Sequence, residues 1–182
     1  MRFGRDYREP VILPTGARVR LRLLRRHDAP LLVQIFEGLS AEARYQRFFA
    51  HKNALSLADL STLTDCDGER QLAIVATANA SGVEEGVGVA RFVRLREDPR
   101  AAEVAVAVVD ARRREGIGRQ LIRRLAEAAL ERNIERLHSV VLADNLPMKA
   151  LLQQLAPGAS AGTSQLSGAT VSTFEVPLPL PG

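Results

Sequence analysis

A chain of 182 residues is the size of one domain and long enough to bury a core without covalent staples. With 46% hydrophobic and 25% charged residues, it excludes disorder, collagen and coiled coil as readings of the whole. Its single cysteine, Cys66, excludes an internal disulfide framework and a cysteine-cluster zinc site, and His27, His51 and His138 fall at no metal-ligand spacing. The net charge of +4 points to an anionic partner of unspecified kind.

Residues 1–12 read as a loose charged leader, and 13–182 as the domain. The leader has no apolar signal-peptide core, and no run in the chain approaches the roughly 18 apolar residues of a spanning helix. These features predict a cytoplasmic protein without a membrane partner. Leu13-Pro14-Thr15-Gly16 carries turn chemistry, and Val19-Arg20-Leu21-Arg22-Leu23 alternates like a half-buried strand. Asp28 is placed to cap a helix bearing Leu31, Leu32, Ile35 and Phe36, with Pro30 in its first turn. Ser40 opens a second helix with Tyr45, Phe48 and Phe49 on one side, and a short third one follows Ser56.

The period then changes. Gln71–Ala78 and Gly86–Leu95 read as partner strands about a turn over 79–85, and Gly86-x-Gly88 predicts close packing or a bulge. Ala101–Val109 is a third strand, Ile117–Arg132 a strong amphipathic helix, and Leu137–Leu142 a buried strand. Leu146–Leu155 is a short helix, Ala156–Gly168 a small-residue loop, and Ala169–Val176 a last strand. A meander followed by crossovers gives an α/β (α+β) fold: one domain with a mixed, mostly antiparallel sheet flanked by helices.

The chemistry concentrates in Asp110-Ala111-Arg112-Arg113-Arg114-Glu115-Gly116-Ile117-Gly118, between an apolar strand and a long helix. A helix N-terminus offers free amides and roughly half a positive charge, so Arg112, Arg113, Arg114, Arg119 and Arg123 crowd an end that disfavours cations. Glu115 offsets part of this, and a bound polyphosphate would relieve the rest. The P-loop pattern is absent because no Gly-Lys precedes a Ser or Thr. The dinucleotide fingerprint lacks its third glycine, with Leu121 in that place.

Arg113-x-x-Gly116-x-Gly118, set between strand and helix and followed by a strand, Asn145 and a short helix, resembles the signature of the GNAT superfamily of N-acetyltransferases. The resemblance narrows to bacterial Pat-like protein lysine acetyltransferase domains. Its further supports are Leu13-Pro14-x-Gly16, Leu39-Ser40, Arg44-Tyr45-x-Arg47-Phe48-Phe49, Asp65-x-Asp67, Ala102-Glu103-Val104-Ala105 and Asn145-x-x-Met148.

That resemblance implies a V-shaped split between the 101–109 and 137–142 strands, holding acetyl-CoA as co-substrate with no metal. It implies backbone pairing of Ala107, Val108 and Val109 with the pantetheine arm. Amides of Arg113, Arg114, Glu115, Gly116, Ile117, Gly118 and Arg119 would hold the pyrophosphate, and Asn145 would sit near the thioester. The implied reaction is direct attack in a ternary complex by a protein lysine, on a substrate such as an acyl-CoA synthetase, with the chain a monomer or homodimer and no nucleic acid involved. A small-amine N-acetyltransferase and a non-catalytic acyl-CoA-binding sensor domain remain alternatives.

Glu103 is the catalytic candidate, as the general base of Pat-like domains and as a lone carboxylate opening an apolar strand. Burial there would raise its pKa from ~4.3 towards neutrality; the other reading is an exposed end or pairing with Arg91 or Arg94. The tyrosine that many relatives carry about seven residues after the Asn is replaced by Leu152. A thiol of pKa ~8.5 leaves readily enough that this loss costs little more than ~2 kcal/mol. Cys66, between two acids, reads as inert.

Overall fold

The structure is a computed structural model describing residues 1–80, 82–166 and 168–181. Its strands are β1 (Arg8–Ile12), β2 (Arg18–Leu23), β3 (Gln71–Ala80), β4 (Val83–Arg94), β5 (Ala101–Val108), β6 (Arg136–Leu142), β7 (Ser160–Leu166) and β8 (Ala169–Pro177). Its helices are α1 (Ala29–Glu37), α2 (Ala41–Phe48), α3 (Leu57–Thr64), α4 (Ile117–Leu130) and α5 (Leu146–Leu155). One mixed sheet runs in the order β1-β2-β3-β4-β5-β6-β8-β7, antiparallel throughout except between β5 and β6.

The helices cover opposite faces. A Cβ on Gly88 of β4 would meet Leu121 and Ile117 of α4, whereas the neighbouring Val89 and Arg91 point with α1 and α2 into a common cavity. On α4, Ile117, Leu121, Ile122, Leu125, Ala128 and Ala129 are all but fully buried, as their helical spacing requires. Gly86 and Gly88 both pack closely and flank an irregularity: Gly88 pairs with Ala76 and Gly86 with Thr77, so Val87 is the extra residue of a bulge.

Three expectations are corrected. Residues 1–12 are not a loose leader: Phe3 and Tyr7 are buried with ring centroids 4.6 Å apart, and Arg8–Ile12 is edge strand β1. The charges that look solvated in sequence find partners on α4 and just beyond it. Glu9 accepts three hydrogen bonds of 2.8–3.1 Å from Arg124, and Glu131 accepts the amides of Arg2 and Phe3 at 2.6 and 3.1 Å. The small-residue stretch before Gly168 contains β7, exposed along its whole length; with no apolar face to bury, it carries no strand pattern. Asp28 precedes α1 without capping it. Its carboxylate takes the Arg25 amide and both terminal nitrogens of Arg22 at 2.7–2.9 Å, a buried pair.

Candidate active site

β5 and β6 pair only at Ala101–Arg136, Ala102–Leu137 and Glu103–His138 among the described residues, and then part. The split opens a cleft of ≈ 960 Å³ walled by the rest of β5, the loop into α4, β6 and the first turns of α5. That is the upper end of the size range for a small-molecule site.

The register decides which backbone groups line it. Val109 donates its amide to Val87 and Leu95 donates to Ala101, so the odd-numbered residues of β5 form the hydrogen-bonded pairs with β4. The even-numbered ones turn the other way, leaving N–H and C=O of Val106 and Val108 facing the split. Of residues 107 to 109, for which backbone pairing was expected, only Val108 turns its N–H and C=O towards the split. Ala107 lines the cleft with its methyl group, while Val109 is buried against Gly38.

The loop is preset. Arg114 and Gly116 adopt positive φ of 61° and 95°, and a Cβ on Gly116 would also lie 3.2 Å from Cδ of Pro14. Gly116 is the N-cap of α4 and provides no side-chain cap, and the first intrahelical bond is Gln120 N–H to Gly116 C=O at 3.1 Å. The amides of Ile117, Gly118 and Arg119 are therefore free at the cleft. Two arginines are already paired: Arg112 Nε lies 2.8 and 2.9 Å from the Glu115 carboxylate oxygens, and Arg113 is 2.9 Å from Asp110. Arg114 and Arg119 reach the cleft wall with no polar partner among the described residues. Glu115, turned to Arg112, is off that wall.

Asn145 lines the cleft as the N-cap of α5, its side chain accepting the Met148 amide at 3.2 Å. Leu152, in the place of the missing tyrosine, is buried. Neither tyrosine is at the site: Tyr7 belongs to the N-terminal cluster, and Tyr45 stacks on His51 at 4.8 Å. Among the described residues there is no group of side chains suited to hold a metal, and no helix long and apolar enough to cross a membrane.

Glu103 sits where the strands part and lines the cleft, but it is exposed, so the burial expected of it is absent. β5 is covered by α4 on its even side and by α1 and α2 only towards its C-terminal end, which leaves Glu103 in the open. No ion pair ties it to Arg91 or Arg94; Arg91 donates to Gln71 at 2.6 Å, and Arg94 donates to main-chain carbonyls. Its β6 neighbour His138, which sequence reasoning passed over, shares that face, with Nε2 3.2 Å from Glu175. The signal was available only as register. Sequence reasoning named Arg91 only as a partner for Glu103 and Arg47 only as part of a Pat-like motif. Burial, then the charge of Arg91, lowers the pKa of Arg47 from 12.5 to about 10, and burial lowers that of Arg91 against the opposing charges of Cys66 and Glu103. Cys66 is half-buried, and burial pushes its thiol up, with Asp67 and Asp65 adding to the effect and Arg91 opposing it.

The family model described as acetyltransferase (GNAT) family matches residues 34–156. An acetyltransferase of Pseudomonas aeruginosa is 30% identical over 139 residues, covering 76% of this chain and 74% of that one. The GNAT domain of Streptomyces lividans PAT superposes with a TM-score of 0.82 at 28% identity, over 96% of this chain and 99% of that domain. A cAMP-binding acyltransferase of Mycobacterium smegmatis is 27% identical with a TM-score of 0.63; the match covers 94% of this chain and 47% of that longer one. The yncA protein of Salmonella typhimurium, solved with its cofactor acetyl-CoA, shares the fold alone at 15% identity and a TM-score of 0.70, over 88% of this chain and 94% of that one.

Proposed function

The chain belongs to the GNAT acetyltransferase family, and we propose on that premise that it transfers the acetyl group of acetyl-CoA to a lysine amine of a protein. The observation that carries the cofactor half is the preset N-terminus of α4: three free amides, two arginines without a polar partner among the described residues, and an αL glycine at the end of a cleft of matching size. Oriented amides and a helix dipole suit a diphosphate without further rearrangement. Val106 and Val108 offer the N–H and C=O that an amide-containing arm pairs with, as a further strand would.

Glu103 is the base in this reading. A lysine ammonium with pKa ~10.4 must lose its proton before its nitrogen can attack. Glu103 takes that proton directly or through water, and the docking acceptor supplies the cover that the free protein lacks. The freed amine bonds to the thioester carbon, the carbon–sulfur bond breaks, and strand N–H groups stabilise the oxyanion between the two events. The lysine acceptor rests on the Pat-like motifs and is supported by the likeness to the S. lividans PAT domain.

The test is incubation with labelled acetyl-CoA and either an acyl-CoA synthetase-type protein or a panel of small amines, with acetylated sites mapped by mass spectrometry. Acetyl-lysine on the protein supports the reading. Saturable turnover of small amines alone gives the acceptor to them instead.

A further inference from the structure

Behind the cleft, where α1 and α2 cross β4 and β5, lies a small cavity with ≈ 30 Å³ open to the centre of a water-sized sphere. That is room for about two waters, or for one carboxylate group. Its lining residues are apolar, Leu24, Leu32, Ile35, Phe36, Leu63 and Val89 among others, except for Arg47 and Arg91. Leu39, Arg47, Phe48, Ala105 and Ala107 border both this cavity and the cleft, so the two spaces are neighbours across small methyl groups.

Glu103 opposes the charge here only from a distance, with no hydrogen bond or ion pair to either arginine. Arg91 is 9% exposed and its Nε is buried without a partner; its one side-chain bond goes to the neutral amide oxygen of Gln71. Arg47 makes no polar bond among the described residues; its guanidinium lies 5.0 Å from the Phe48 ring centroid. Among the described residues, no carboxylate stands within ion-pair distance of either. Buried cations normally pair with an anion, since desolvation otherwise disfavours the charge.

We propose that Arg47 and Arg91 form a subsite for a carboxylate carried on a short apolar stem. The inference rests on the reading of the cleft as the acyl-CoA site and adds a specificity to it. Two sources present that chemistry: an acyl chain ending in a carboxylate, extended from a thioester held on β5 across Ala105 and Ala107, or an amine acceptor bearing a carboxylate. Apolar walls suit the stem, and two arginines lining one cavity suit the head.

The experiment is calorimetric and kinetic on the intact protein. In one arm, coenzyme A carrying an S-carboxypropyl group is titrated against the S-butyl analogue, which has the same stem and no charge. In the other, acetyl transfer to 4-aminobutyrate is compared with transfer to butylamine. The proposal expects a preference of tenfold or more for the carboxylate in at least one arm, and the responding arm names the source. Arg47→Met and Arg91→Met should each erase the preference while leaving affinity for the S-butyl analogue within about twofold. Equal binding and equal turnover in both pairs overturn the subsite while leaving the coenzyme A reading intact, as does a preference that survives both substitutions. Failure of every coenzyme A ligand to bind overturns both. The wild-type comparison needs no variant to fold.

Discussion

Ser40 donates its amide to the Asp110 carboxylate at 3.2 Å, and Asp110 returns its own amide to the Gly38 carbonyl at 2.9 Å. The corner between α1 and α2 is thereby tied to the loop leading into α4. Directly beside it, a Cβ on Gly38 would stand 2.7 Å from Cγ1 of Val109. The corner between α1 and α2 and the loop into α4 are one packed unit. Gly38→Ala should destabilise the fold by about 1–3 kcal/mol through overpacking. In thermal melts this appears as a fall of roughly 3–9 °C; an unchanged melting temperature contradicts the packing described.

The parity of β5 makes a paired prediction. Ala107→Pro removes an amide that faces β4 and should unfold or strongly destabilise the chain. Val106→Pro removes an amide that faces the cleft, where no strand pairs with it, so it should fold and instead raise KM for acetyl-CoA. Circular dichroism with initial rates separates the two. The opposite assignment of stability and KM effects would mean that the register has been misread.

Glu103→Gln should lower kcat by about 10²–10⁴-fold with little change in KM for acetyl-CoA, as expected of a general base. The kcat/KM profile of the wild type should lose its acid limb in the variant. Equal kcat in the two proteins removes Glu103 from the chemistry.

Much of the fold is legible in the residues. β2 to β6 announce themselves by apolar runs and turn residues, and α4 by the spacing of Ile117, Leu121 and Leu125. Gly116 could be singled out because a glycine closing a charged run at a helix start has few other uses. What stayed hidden depends on partners far along the chain. Glu9 looks solvated until Arg124 is placed beside it, so β1 reads as a loose leader. β7 has no buried side, and without one a strand leaves no alternation. Glu103 looked buried because its strand neighbours are apolar; its exposure is set by where α1 and α2 stop covering the sheet. Arg91 needed the pleat of β4 to be known before its face could be.

Acid should unfold the protein partly through Asp28. Burial raises its pKa, but the hydrogen bonds from Arg22 and the Arg25 amide together outweigh it, leaving the group below its usual 3.8. A carboxyl depressed on folding contributes stability that is fully present above its unfolded pKa and lost as pH falls through the folded value. Chemical denaturation from pH 6 down to pH 2 should therefore show stability dropping below about pH 4. Asp28→Asn should cost roughly 3 kcal/mol at neutral pH and flatten that drop. A drop of the same steepness in the variant assigns it to other carboxylates.

The central claim is that free amides at the start of α4 seat the diphosphate of coenzyme A. Backbone amide shifts of isotope-labelled protein, followed by NMR during titration with coenzyme A, read those groups one by one. Large saturable shifts at Gly116, Ile117, Gly118 and Arg119, abolished by Gly116→Asp, are the predicted result. Saturation of the protein with those resonances unmoved would contradict it.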